Sequence, residues 1–179
     1  MTRAALYMIL AAAAPLFAAA PKEPATDLSV LNSKVPGLEV RFVNYHWQPA
    51  LFEAIAKGSR DTPEARRDWV LARVIVEPLP LKFEGVPLSA GSYALSLFPN
   101  QDGKGMVLEL RKVDMREVYP KLNVMAPTPP GETMYRAPAT FDIQDPLASR
   151  LDVALTEDAG AIALNVKYGD RHLALKLTR

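Results

Sequence analysis

Along most of this chain, apolar side chains recur at every second position rather than at helical spacing. LEVRFVNYHW puts Leu38, Val40 and Phe42 on one face and Glu39 and Arg41 on the other, the period of two that marks a half-buried strand. The C-terminal stretch carries the pattern most clearly. ATFDI, SRLDVALTE, AIALNVKYG and RHLALKLTR read as four strands, divided by Pro146, by Asp158-Ala159-Gly160 and by a two-residue turn at Gly169-Asp170. Leu151, Val153 and Leu155 point one way on the first long run, and Ile162, Leu164, Val166 and Tyr168 do so on the next. Leu173, Leu175 and Leu177 complete the set, with His172, Lys176 and Thr178 turned to water.

Upstream, QPALFEAIAKG reads as a short helix with Pro49 at its first position, Gly58 at its stop, and Leu51, Phe52 and Ile55 on one face. Asp61-Thr62-Pro63-Glu64 resembles a second helix start. In WVLARVIVE the β-branched residues Val70, Val74, Ile75 and Val76 suit a pleated surface. That predicts a strand over Val70–Glu77, with helix as the competing reading. Pro78 and Pro80 bar a long central strand, so LPLKFEG at 79–85 is a separate short piece near a sheet edge. SYALSLFPN and MVLELRKV are further strands, joined by the turn chemistry of Asp102-Gly103. Residues 114–138 hold five prolines, at 120, 127, 129, 130 and 138, which forbid regular structure over most of the segment. A connection of that length is functional or disordered. Short strands at this spacing predict an all-β fold: an antiparallel β-sandwich, jelly-roll-like or barrel-like, with one or two short helices.

The first 20 residues add an address. Arg3 precedes an apolar, alanine-rich stretch that ends in Ala18-Ala19-Ala20, the layout of a secretory signal. Pro15 and the alanine content argue against a retained membrane span. The domain plan is therefore a signal peptide over 1–20, a flexible linker over 21–37 interrupted by Pro21, Pro24 and Pro36, and one sandwich domain over 38–179. The expected location is periplasmic or extracellular, with no stable membrane span once the signal is removed.

Composition narrows the chemistry. The 179 residues include no cysteine, which excludes disulfides and thiol catalysis. Lys and Arg number 21 against 20 acids, so no nucleic-acid footprint is predicted. His46 and His172 are the only histidines, fewer than a catalytic zinc site with two or three His ligands readily uses, and no metal or other cofactor is expected. Ser92 follows Gly91 without the G-x-S-x-G frame of a nucleophile elbow. Carboxylate pairs for glycoside hydrolysis could come from Glu53, Asp61, Glu64, Asp68 and Glu132, but any chain with this many acids offers such pairs.

One constellation combines aromatic rings with forked cations. Tyr45 and Trp47 end the first strand, Arg66, Arg67 and Trp69 precede the valine-rich strand, and Tyr119, Tyr135 and Arg136 flank the proline-rich loop. Aromatic residues and Arg supply rigid area and directed donors at recognition surfaces. If the three segments meet at one end of the sandwich, they line a shallow site for a sugar, a peptide or an acidic group. Otherwise Trp47 and Trp69 cap the core and the arginines lie in solvent.

FEGVPLSAGSYALSLFP at 83–99 resembles the strand, G-x-x-L-x-A-G-x-Y turn and Pro-ended strand of an exported bacterial family, domain of unknown function 2911. Gly85, Leu88, Ala90, Gly91, Tyr93 and Pro99 match residue by residue. VNYHWQP at 43–49 and the closing run from Arg150 to Leu177 are similar to the family's early and last strands. The chain departs from the family at Arg66-Arg67-Asp68-Trp69, where the family has a basic segment and a Trp-Arg-x-Gly motif, and at Tyr168, where it has Trp. The resemblance implies export and a mostly β fold, and brings no activity and no catalytic residue. The expected function is a non-catalytic binding module. Its rivals are an envelope assembly protein that docks a partner chain and a carboxylate-dependent hydrolase.

Overall fold

The computed structural model describes residues 28–59, 69–100, 105–114 and 130–179. The signal segment, the second helix start, the Asp102-Gly103 turn, and Arg66, Arg67 and Tyr119 lie outside the described residues. Ten strands and one helix follow in order: β1 (Val30–Val35), β2 (Leu38–Val43), α1 (Pro49–Ala56), β3 (Trp69–Val76), β4 (Leu81–Phe83), β5 (Val86–Leu88), β6 (Gly91–Pro99), β7 (Met106–Val113), β8 (Glu132–Pro138), β9 (Asp142–Asp158) and β10 (Ala161–Thr178). They form an all-β sandwich. One sheet has the order β1-β2-β3-β6-β7-β8 and the other β5-β4-β10-β9, and every pairing is antiparallel.

The core lies between the two inner faces, where the period-two pattern puts it. Val40, Val74, Tyr93, Leu95 and Leu110 of the larger sheet and Leu164, Val166 and Leu177 of the smaller one are almost wholly buried. Helix α1 buries Phe52 and Ile55 and stops at Gly58, whose amide donates to the Ile55 carbonyl.

Three expectations change. Residues 30–35 are not linker but an edge strand, because Pro36-Gly37 makes a two-residue turn that pairs Val35 with Leu38. Proline fits the second position of such a turn and Gly37, at φ +79°, supplies the left-handed third. Residues 132–138 are strand β8 rather than irregular chain. Pro138 is tolerated there because β8 is an edge strand and the proline stands at its end. LPLKFEG, as expected, supplies a short strand near a sheet edge: β4, next to the edge strand β5. The four expected C-terminal strands are two long ones. Pro146 sits within β9, and Gly169-Asp170 is a bulge within β10 instead of a turn.

The sheets are also tied at one edge. His46 and Arg150 form an isolated bridge, the Trp47 amide donates to the Ser149 carbonyl and the Leu151 amide to the Tyr45 carbonyl. Further along, the Leu155 amide donates to Ser33 Oγ at 2.9 Å. This seam gives the sandwich its barrel-like side.

Candidate functional site

The seam is filled by rings. Trp47 meets Tyr168 edge-on at 4.7 Å and Phe52 at 5.2 Å, and Phe52 in turn meets Trp69 and Phe141. The Tyr168 hydroxyl donates to the His46 carbonyl at 2.6 Å. Burial pushes both the Tyr45 and the Tyr168 phenols up to about 12. For Tyr168 a hydrogen bond from the backbone of Gln48 opposes the shift and Tyr45 reinforces it.

Directly after Tyr168 the strand bulges. Gly169 has φ +67°, and a Cβ there would stand 2.2 Å from the Trp47 ring. The register jumps from Gly169↔Ala148 to Arg171↔Ile143, so Gln144, Asp145, Pro146 and Leu147 arch over Asp170 alone. Bulges of this kind re-aim side chains and gather next to functional sites. Beneath the arch is a pocket of about 200 Å³ whose charged and polar lining includes Asp145, Lys167, Asp170, Arg171 and His172.

Arg171 is the hub of the site. Its guanidinium pairs with Glu53 of α1 and lies 5.7 Å from the centre of the Phe52 ring. Its Nε is 3.3 Å from Asp170 Oδ1, out of line for a hydrogen bond. His172 Nε2 lies 3.3 Å from Asn165 Oδ1. Asp170 Oδ1, Arg171 Nε and His172 Nδ1 are withdrawn from solvent and have no hydrogen-bond partner among the described residues. Groups in that condition are costly in a folded chain and ask for an explanation. Among the described residues no three His, Asp or Glu side chains come together as metal ligands.

The structure divides the predicted constellation. Trp47 and Trp69 belong to the seam, and Tyr45 lies close enough to Tyr168 for the two phenols to interact. Tyr45 and Trp69 are buried and Trp47 half-buried, so these three form the floor beneath the site and do not line an open cleft. Tyr135 and Arg136 are on β8 instead. Tyr135 packs edge-on against Phe83, and Arg136 is half-exposed, 3.7 Å from Glu109. His172 faces away from the buried Leu173, as expected, but is half-buried, beside Asn165 and within the lining of the arch pocket.

Sequence reasoning missed Glu53, Lys167, Asp170 and Arg171 as one group. A glycine inside an alternating run and a proline inside the facing run were the available signals, since both mark bulges. No family model matches the chain, and no curated protein and no solved structure matches it.

Proposed function

We propose that the protein is an exported, non-catalytic binding module whose ligand enters the arch pocket between β9 and β10. The observation that carries this reading is a trio of withdrawn atoms that make no hydrogen bond among the described residues: Arg171 Nε and Asp170 Oδ1, ion-paired at 3.3 Å but out of line, and His172 Nδ1. A ligand presenting both a donor and an acceptor satisfies them together. The site mixes Asp145 and Asp170 with Lys167 and Arg171, which suits a neutral hydroxyl- or amide-bearing group over a net charge. At about 200 Å³ the pocket is smaller than a typical ligand cavity. It therefore holds one unit, a single sugar ring or one peptide side chain. Export accords with the N-terminal segment and with the resemblance of residues 83–99 to domain of unknown function 2911.

Thermal shift against panels of oligosaccharides and short peptides tests the reading. A ligand at about 100 times its dissociation constant adds roughly 2.7 kcal/mol, a rise of several degrees for a chain of this size. Asp170→Asn is expected to abolish the shift. A flat panel on a cooperatively melting protein would overturn the proposal.

A second reading has its own observation. Ile143 and Leu147 flank the arch and are 71% and 57% exposed, and they stand on the edge strand β9 outside the stretch 149–155 that the seam uses. An extended partner chain docking along that edge would cover them. Sedimentation of the mature chain decides here: a strict monomer that recovers no envelope partner counts against docking.

A further inference from the structure

The seam between the sheets is tied twice and stands open between the ties. At one end the Leu151 amide donates to the Tyr45 carbonyl at 2.7 Å, and at the other the Leu155 amide donates to Ser33 Oγ at 2.9 Å. Between them is a cavity of about 610 Å³, with Val30, Leu31 and Asn32 of β1 on one wall, Asp152 and Val153 of β9 on the other, and Phe42 within the lining. β1 and β9 are the outer strands of their sheets, and no ladder between described residues joins them.

Both strands turn backbone hydrogen-bonding groups into this window. Along an antiparallel pair, residues bonded to the neighbour alternate with residues turned away from it. Leu151 and Leu155 turn their amides away from β10, so Val153, midway between them, does the same. On the other wall, the two-residue turn makes Val35 and Leu38 a bonded pair, and the Asn44 amide donates to the Ser29 carbonyl in the same phase. Val30 and Asn32 therefore present their N–H and C=O groups away from β2, at the free edge. Leu31 is the register partner of the buried Phe42 and shares its core-facing side, yet it is 42% exposed. An inward-facing leucine stays that open only because the described residues leave the window uncovered.

We propose that the window binds an extended segment of a partner protein, which enters as a strand between β1 and β9. Direction, size and chemistry each select that occupant. The two walls run the same way: Ser29 lies by Asn44, whose carbonyl accepts from Arg150, and Ser33 lies by Leu155. A segment running opposite to both makes two antiparallel pairings, the kind found throughout both sheets. Leu151 and Leu155 are about 13 Å apart along the strand, and a strand of that length at ordinary strand and sheet spacings fills about 600 Å³. Only a polypeptide backbone repeats a donor and an acceptor as Asn32 and Val153 offer theirs. Arg41, already paired with Glu39, and Asp152 leave the lining of mixed charge, while Val30 and Leu31 favour a segment with apolar residues at alternate positions. The window is separate from the arch pocket, and the proposal rests on neither reading of the arch.

Calorimetric titration of the protein with the capped hexapeptide acetyl-Thr-Leu-Thr-Val-Thr-Leu-amide tests the proposal. Its control is the same peptide methylated on the two central amide nitrogens. The parent peptide is expected to bind and the methylated one to lose about tenfold or more, as the lost hydrogen bonds require. Asn32→Pro deletes the outward amide without touching the β1–β2 ladder, a change that an edge strand tolerates. It should weaken binding about tenfold. Leu31→Asp, on a side chain outside the core cluster, should weaken binding likewise with an unchanged melting temperature. Exchange of the Val153 amide should slow when the peptide is bound. The proposal is overturned if the parent hexapeptide does not bind, if the methylated form binds equally well, or if Leu31→Asp binds as the parent protein does. A dimer in sedimentation that Leu31→Asp dissolves would replace the partner segment with a second copy of this chain.

Discussion

Gly169 is where core and candidate site meet in one residue. Its left-handed φ suits glycine, and the Trp47 indole occupies the space a side chain would need. Gly169→Ala therefore meets two costs, the left-handed conformation and a collision with a ring wedged between Tyr168 and Phe52. Together these are expected to destabilise the fold by about 3 kcal/mol, read as a lowered midpoint in urea. Equal midpoints for variant and parent would show that Trp47 has room to move. A change of this kind also reaches the pocket, because Asp170 and Arg171 follow directly on the strand.

At the scale of elements, the β9–β10 hairpin sets the shape of the smaller sheet. Its turn places Ala159 at φ +47° and Gly160 at φ +82° between the paired residues Asp158 and Ala161, the geometry of a type I′ turn, which favours Asn-Gly. Alanine bears a steric penalty there that asparagine largely avoids. Ala159→Asn is expected to stabilise by about 1 kcal/mol, a rise of about 2–4 °C in melting temperature, with ligand binding unchanged. A fall would mean that the turn is held by more than its own dihedrals.

The same hairpin shows what could be read from the residues. Leu151, Val153, Ile162, Leu164 and Val166 fell on the buried face as their spacing required, because period two is a local property. The continuity of each strand was not local. Gly169-Asp170 has the composition of a turn, but the same facing strand pairs on both sides of it, at Ala148 and Ile143, and that makes it a bulge. The site was hidden for the same reason: Glu53 and Arg171 meet because α1 packs Phe52 under the guanidinium, and no spacing rule connects them. The aromatics at Tyr45, Trp47 and Trp69 were legible as a group, but composition does not distinguish a floor from a lining. Strand β1 was overlooked because Asn32, Ser33 and Lys34 make it polar, as edge strands are.

For the whole molecule, the seam that closes one side of the sandwich depends on buried phenols. Tyr168 hydrogen-bonds the backbone of His46, and the neighbouring Tyr45 passes its carbonyl to Leu151. Both hydroxyls are pushed up to about 12, chiefly by burial, whereas an unfolded tyrosine ionises near 10. Above pH 10 the unfolded chain therefore releases protons that the folded chain still holds. Stability must then fall as pH rises, with the loss concentrated between about 10 and 12. Melting temperatures across that range should drop steeply, and a spectrophotometric titration should show at least these two phenols ionising late or only on unfolding. Tyr168→Phe removes one of the two titrating groups. Its melting curve should start lower at neutral pH, for want of the His46 hydrogen bond, yet depend less on pH above 10. If every phenol titrates near 10 while the melting temperature stays level, the seam is open to water and cannot serve as a dry floor for the pocket above it.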